Sequence, residues 1–379
     1  MTLAVTLMIR DEADVLPAWL AHHVAQGVDV LVVTDNGSVD GSREILERFA
    51  ADAPMVVDLR HDPVHKKQQS ATVTAMARDA YAVHGADWVV NADADEFLVA
   101  VDRSLDLRTV FERLDPAVRA FVVPVVNMVG PMAESGPGLR RLVWRDERTD
   151  DELRRVGLLA HPSGNAIHVG DPDVAVVQGN HLVTVAAGDA PPAELALEVL
   201  HFPWRSWEQY AHRVEIAGRA YESNPDMVPS PNHHGMRDYR RLAAGTLRAY
   251  FAARLVGASA GTAQQAHFTE DRTVADAGWS TDAPADVLVD VDVATELAAL
   301  GRGLVERDLE IARLSPLVEE LTENKALLES TVQHMQERNV ALELLASQRA
   351  TSIDAYRARK VVRWADAAGE TVRRVRNRL

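Results

Sequence analysis

Trp88-Val89-Val90-Asn91-Ala92-Asp93-Ala94-Asp95-Glu96-Phe97-Leu98 is an apolar run that stops at three carboxylates. Trp88 to Ala92 predicts a buried strand. An Asp-x-Asp-Glu sequence at its end suits a hard divalent cation, because Mg²⁺ and Mn²⁺ take oxygen ligands. An isolated Asp-x-Asp is equally an ordinary solvated turn, since Asp is common in turns. The chain upstream decides between the two.

Upstream, strand and helix patterns alternate. Leu3 to Ile9 reads as a buried strand ending at Arg10-Asp11-Glu12. Val15, Leu16, Trp19, Leu20, His23 and Val24 then recur at helical spacing, with Asp14 as the expected N-cap, Pro17 in the first turn and Gly27 as the stop. Val30 to Val33 predicts a second strand, closed by Thr34-Asp35-Asn36-Gly37-Ser38-Val39-Asp40-Gly41-Ser42, where Asp40 or Ser42 can cap the helix that follows. Helix is then expected from Arg43 to Ala50, strand from Met55 to Leu59, helix from Lys67 to His84 and strand from Asp87 to Ala92. Repeated β-α units build a parallel sheet that binds ligand at the carboxyl ends of its strands. The clusters at Arg10, Asp35 and Asp93 should therefore meet on one edge, as a site for a nucleotide and a metal.

Composition sets the limits. The chain has 379 residues, 47% of them apolar, enough for about two domains. Nothing approaches the ~18 consecutive apolar residues of a membrane span. Met1 to Thr6 leads straight into a strand pattern, which argues against a secretory signal. The absence of cysteine excludes disulfides, thiol catalysis and cysteine-bound zinc, and a cytoplasmic location is expected. Residues 351–379 hold eight basic and three acidic side chains, so the net charge of −16 leaves −21 on the rest. Such an acidic body is not built for nucleic acid, whose phosphates require clustered Lys and Arg.

At this point the motifs carry a resemblance. Asp35-Asn36-Gly37-Ser38-Val39-Asp40-Gly41-Ser42, followed by Asp93-Ala94-Asp95-Glu96-Phe97, resembles the nucleotide-sugar glycosyltransferases of the GT-A fold, family 2, in the branch whose second motif reads DADEF. The similarity spans Leu3 to about Leu98. Beyond it, Leu200-His201-Phe202-Pro203-Trp204-Arg205-Ser206 is similar to an HY-x-x-RS stretch of that branch. The resemblance implies a Rossmann-like mixed sheet flanked by helices. It further implies nucleotide-sugar contacts from Ile9, Arg10, Glu12, Asp35, Asn36, Ser38, Asp93 and Ala94, and a Mn²⁺ or Mg²⁺ ion on Asp93 and Asp95 with His201 as a later ligand. Asp93 would lie toward the ribose and Asp95 toward the metal. Asn36 replaces a common second Asp, so the resemblance does not say which base is read. The implied reaction is sugar transfer to an acceptor hydroxyl, with inversion, in the synthesis of cell-surface glycans or glycoconjugates, the acceptor being glycan, lipid-linked or protein.

Chemistry asks for two further groups. A divalent ion neutralises a departing diphosphate, and an inverting transfer needs a base for the acceptor hydroxyl. Glu96 and Asp171 are the candidate bases, with Asp173 beside the latter, although Glu96 also fits a supporting role next to metal ligands. Ala120 to Val129 predicts one more buried strand, and residues 154–184 predict short strands and turns carrying His161, His168 and His181. His181 is the alternative to His201. Arg205, Arg213 and Arg219 read as solvated charge, with reach to a diphosphate as the alternative, and Asn232-His233-His234-Gly235 as a loop over the site.

The GT-A domain is expected over 1–290, split into a nucleotide half, 1–100, and an acceptor half, 101–290. Next come a coiled coil over 291–345 and a basic amphipathic tail over 346–379. Eleven of fourteen a and d positions between Leu297 and Leu342 are apolar, which points to a homo-oligomer. Ser315-Pro316 predicts a break, with the main coil starting at Pro316. The tail suggests peripheral contact with an anionic membrane surface, at its inner face. Two other classes are a sugar-nucleotide nucleotidyltransferase, for which the Arg10-to-Asp14 loop is too acidic, and a non-catalytic coiled-coil scaffold.

Overall fold

The computed structural model describes residues 1–63, 69–222, 234–256, 267–278 and 285–378. Its first half is the alternation that the sequence predicts: β1 (Leu3–Ile9), α1 (Leu16–Ala25), β2 (Val30–Asp35), α2 (Ser42–Asp52), β3 (Val56–His61), α3 (Gln69–Ala82) and β4 (Trp88–Ala92). There follow β5 (Glu96–Ala100), α4 (Leu107–Arg113), β6 (Ala120–Val123), β7 (Val125–Val129), β8 (Ala133–Ser135), β9 (Trp144–Asp146), α5 (Asp150–Arg155), β10 (Asn165–Val169) and β11 (Leu197–His201). The remainder is α6 (Trp207–Glu222), α7 (His234–Ala243), α8 (Leu247–Arg254), β12 (Phe268–Glu270), β13 (Val287–Leu288), α9 (Val291–Ala358) and α10 (Lys360–Arg376). The expected architecture is present, a mixed α/β domain with parallel and antiparallel strands flanked by helices and a C-terminal helical extension.

The main sheet has the order β3-β2-β1-β4-β10-β6. Its first four strands are parallel, and β10 runs antiparallel to both neighbours. The central strands β1, β2 and β4 are apolar on both faces because both are covered. Leu3, Val5, Leu7 and Ile9 pack with Leu16, Trp19 and Leu20 of α1. Ala4, Val30, Val32 and Val89 pack with Val73, Met76, Ala77 and Ala80 of α3.

A second sheet has the order β12-β9-β7-β11-β5. The turn Asp93-Ala94-Asp95 is where the chain leaves the first sheet and enters the second. The helix α1 ties the two together: the Trp19 indole N–H donates to the Glu96 carbonyl at 3.0 Å, and His22 Nε2 meets the Leu98 carbonyl at 2.8 Å. Phe97 and Phe202 pack edge to face, 5.4 Å between ring centres, so the aromatic residues of both motifs belong to the core.

Four expectations change. The run from Ala120 to Val129 is two strands in different sheets, because Pro124 has no N–H to continue a ladder, and its carbonyl accepts from Val199. Asp14 does not cap α1; the N-cap is Val15, without a side-chain bond, and Asp14 is drawn to Arg205. Helix α9 is continuous through Pro316. Ser315 does not cap a new helix there, but turns its hydroxyl back to the Ile311 carbonyl at 2.8 Å. The lid expected at Asn232 to Gly235 falls largely outside the described residues, α7 beginning at His234.

The chain forms two compact units, Met1–Arg307 and Asp308–Leu379. The first turns of α9 belong to the first unit: Leu297 and Ala298 pack with Leu247 and Phe251, and Gly301 lies against the Ala249 carbonyl, where no side chain would fit. In the second unit Val318, Leu321, Leu328, Val332 and Met335 of the heptad are all exposed. Among the described residues no helix is long and apolar enough to cross a membrane.

Burial pushes the His22 imidazole from 6.5 down to about 4, and that of His23 down as well. Below about pH 6.5 the unfolded chain therefore takes up protons that the folded chain refuses. Stability should fall by up to about 3 kcal/mol through His22 between about pH 6.5 and 4. Urea midpoints recorded across this interval should decline less steeply in His22→Gln than in the parent. Equal slopes would show that His22 does not carry the effect.

Candidate functional site

The carboxyl ends of β1, β2, β3 and β4 form one edge, and their loops are knotted together. The Asp11 N–H donates to Ser38 Oγ at 3.1 Å, and Asp11 Oδ1 accepts from the Val39 N–H at 2.7 Å. Asp11 adopts a left-handed backbone, φ 54°, which is uncommon outside glycine and marks a position fixed by its surroundings. Pairing of Asp35 with His61 across β2 and β3 brings His61 Nδ1 to 3.0 Å from Asp35 Oδ2, while Asp35 Oδ1 accepts from the Ser38 N–H. Arg10 donates to the Asn36 carbonyl, whose own N–H donates to that of Ile9. Asn36 Nδ2 donates to the Asp62 carbonyl at 3.0 Å.

Asp95 is the charged centre. It is buried, and Arg213 donates to its Oδ2 at 2.6 Å, with His201 Nε2 at 3.5 Å and Arg205 at 3.6 Å. Burial alone would raise this carboxyl, but His201, Arg213 and Arg205 outweigh it and hold Asp95 well below the usual carboxylate range. Arg205, fully buried, also pairs with Asp14 at 2.9 Å and with Glu12. Burial, reinforced by Asp95 and only partly countered by Arg205, pushes Glu12 up to about 7. Helix α6 closes this side: Gln209 reaches Glu12, His212 reaches Asp11 at 3.0 Å, and Arg213 also donates to the Pro203 carbonyl.

The second sheet sets the rest by register. Asn127, His201 and Glu96 stand in one row across β7, β11 and β5. Asn127 Oδ1 lies 2.9 Å from His201 Nδ1 and, being an acceptor, receives its proton, so Nε2 is the atom turned toward Asp95. Asp93 is half-buried beside the amides of Gln69 and Asn180, each at 3.3 Å, and burial together with Asp95 pushes it up to about 6. Glu96 is buried and accepts from Asn165 Nδ2 at 2.6 Å; burial, then Asp93 and Asp95, push its carboxyl well up.

No protein-family model matches the chain, and no curated protein matches it. Solved structures similar to it include TarS from S. aureus, residues 1–349 in complex with UDP, at 11% identity over 67% of this chain and 80% of that one, TM-score 0.34. TarS of S. aureus in a second structure matches at 12% identity over 70% of this chain and 45% of that one, TM-score 0.32. HddC from Yersinia pseudotuberculosis matches at 9% over 54% and 79%, TM-score 0.23.

Ile9, Arg10, Glu12, Asp35, Asn36, Ser38, Asp93, Ala94, Asp95, Glu96 and His201 thus share one edge. Asp171 does not. Because β10 runs antiparallel, its end at Val169 pairs with Trp88 at the start of β4, and Gly170 donates to the Asp87 carbonyl. Asp171 and Asp173 stand at the opposite edge, with Asp171 accepting from the Asp173 N–H. His168 lies mid-sheet, His161 bonds the Arg148 carbonyl, and His181 bonds the Gly164 carbonyl. Arg205 and Arg213 are not solvated charge, as Asp95 shows, whereas Arg219 is, paired with Glu215 along exposed α6. Among the described residues no set of three His, Asp or Glu side chains is arranged to hold a metal ion by itself.

His61, Asn127, Asn165, Asn180 and His212 were not legible as site residues, whereas Asp11 belongs to the expected Arg10-Asp11-Glu12 cluster. For Asn127 a signal exists, a lone amide within the apolar run Val125 to Val129.

Glu96, its carboxyl held well above the usual carboxylate range by burial and by Asp93 and Asp95, anchors the Asn165 amide besides being a candidate base. Glu96→Gln, which copies the protonated form, should unfold within about 1 kcal/mol of the parent. Glu96→Leu strands the Asn165 amide and should cost about 1–3 kcal/mol, read by denaturant titration. A Gln variant as damaged as the Leu variant would mean that the carboxylate is ionised.

Proposed function

We propose that the chain is a metal-dependent glycosyltransferase moving a sugar from a nucleotide-diphosphate sugar to an acceptor hydroxyl, with inversion, on a glycan, lipid-linked or protein acceptor in cell-surface glycan or glycoconjugate synthesis. The observation that supports it most is the convergence on Asp95, in the turn after β4, of His201 from β11, Arg205 from the loop that follows and Arg213 from α6, at the edge where a parallel sheet takes its ligand. Asp35, Asn36 and Ser38 would face the nucleoside, and Asp93 the ribose.

The donor set fits a hard cation. His201 has one ring nitrogen fixed by Asn127 and the other directed at a carboxylate, the arrangement a metal-ligating histidine takes. Mg²⁺ and its like are commonly held by one or two carboxylates together with substrate phosphates and water, so a protein set smaller than three is consistent with this use. Asp95 and His201, with Asp93 beside them, would hold Mn²⁺ or Mg²⁺. When bound, the ion would offset the charge of the diphosphate leaving group. Arg213, which closes over Asp95 here, is within reach of the same space and would transfer its bond to a diphosphate oxygen. We further propose that the exposed heptad of α9 pairs with a second copy of the chain.

Calorimetric titration with a panel of nucleotide sugars, with and without Mn²⁺, tests this. Binding should require the metal and disappear in Asp95→Asn, whose fold circular dichroism can verify. Binding that ignores the metal, or no binding across the panel, would overturn the reading. Arg213→Ala should weaken nucleoside diphosphate binding by about tenfold to a hundredfold, as expected for a lost bond to a charged group. An unchanged affinity would place Arg213 outside the donor site.

A further inference from the structure

Helix α10 is separated from α9 by a single residue, Arg359, in extended conformation. No residue of α10 is buried. At 3.6 residues per turn, Val361, Trp364, Ala365, Ala368, Val372 and Val375 fall on one narrow stripe. Val361 is 80% exposed, Trp364 79% and Val372 65%, so nothing among the described residues covers it.

The charges are placed with the same order. Lys360 on one side and Arg376 on the other flank the stripe, Arg374 and Arg373 lie farther round on the same two sides, and Arg363 stands on the polar face. Asp366 and Glu370 occupy the face directly opposite. Among the described residues no ion pair engages any of these arginines. A helix lying in a bilayer interface needs this arrangement: apolar groups facing the acyl chains, cations at headgroup level where long side chains can snorkel, and carboxylates farthest from the lipid phosphates. A nucleic-acid-binding face would be basic at its centre, where α10 carries Asp366 and Glu370. The surplus of five positive charges over 351–379, against −21 elsewhere, leaves the tail as the part of the chain suited to an anionic surface.

We infer that α10 docks the protein on an anionic lipid bilayer, lying flat with Val361, Trp364, Val372 and Val375 in the acyl boundary. This goes beyond the proposed transfer reaction and does not depend on it. At about 1.5 Å per residue the helix would cover roughly 25 Å of surface. The single helix gives reversible attachment rather than insertion.

The test uses the full chain and vesicles of phosphatidylcholine alone or mixed in equal parts with phosphatidylglycerol. The protein should float with the mixed vesicles, stay behind with neutral ones, and be released by high salt. Replacing Arg373 and Arg374 together by Gln should weaken the partition by about thirtyfold, from about a factor of five for each arginine near an anionic surface. Because the native chain has no cysteine, Val361→Cys carrying an environment-sensitive dye reports on this stripe alone. Its emission should shift to the blue only with anionic vesicles. Flotation that the arginine substitutions leave unchanged, equal flotation with neutral vesicles, or a dye already shielded before vesicles are added would each overturn the inference. So would duplex nucleic acid binding through these arginines in the absence of any flotation. All these positions are exposed, so the variants leave the folded body intact.

Discussion

A carboxylate taken out of water must find positive charge, and in this protein the need of Asp95 for a counterion organises the site. Its oxygen is met by Arg213 at 2.6 Å and approached by Arg205 and His201. A buried charge left alone costs several kcal/mol or gives up its ionisation, so each of these contacts constrains the element that supplies it. Arg205 must come in from the loop after β11, and having come in fully buried it requires Glu12 and Asp14 from the loop after β1. Residues nearly two hundred positions apart in the chain are therefore held by one chain of alternating charges.

The part of this legible in the sequence is the part governed by local periodicity. Alternating strand and helix patterns locate β1 to β4 within a few residues, and the topology of parallel sheets then sends their carboxyl-end loops to a common edge. What periodicity does not carry is long-range partner choice. Arg205 and Arg213 look like surface cations because no local pattern records a buried carboxylate across the fold. Asp171 looks like a plausible base until β10 turns out to run antiparallel, which sends its far end to the wrong side. The short strand gives no local sign of its direction. At Pro124 the missing N–H was visible and meant a change of sheet, whereas at Pro316 the same chemistry is absorbed within a helix. The proline says only that one bond is lost.

The polar residues inside the strands follow a related logic. Thr6 donates to Asn91 Oδ1 at 2.7 Å between β1 and β4, and Asn127 fixes His201 between β7 and β11. A buried amide has to be partnered, and its partner is then oriented in return. Isolated Asn residues in these two apolar runs thus mark rows where the sheets hold polar side chains in place, at little cost to the hydrophobic pattern that forms the strands.

The three successive carboxyls of the opening motif are unequal. Asp95 stays ionised because the cations converge on it, while Asp93 and Glu96 are pushed up by burial and by Asp95 itself. The arginines that meet Asp95 are already matched, Arg205 by Glu12, Asp14 and Asp95 and Arg213 by Asp95. A nucleoside diphosphate placed beside Asp95 would bring negative charge that these two arginines, so engaged, do not offset. In the proposed reaction two adjustments would restore the balance: Arg213 would exchange Asp95 for phosphate, and a divalent ion, for which Asp95 is a proposed ligand, would supply the charge that the guanidinium gives up. The first without the second would leave Asp95 buried beside the diphosphate with less positive charge than before, which is why the two belong to a single proposal for this edge.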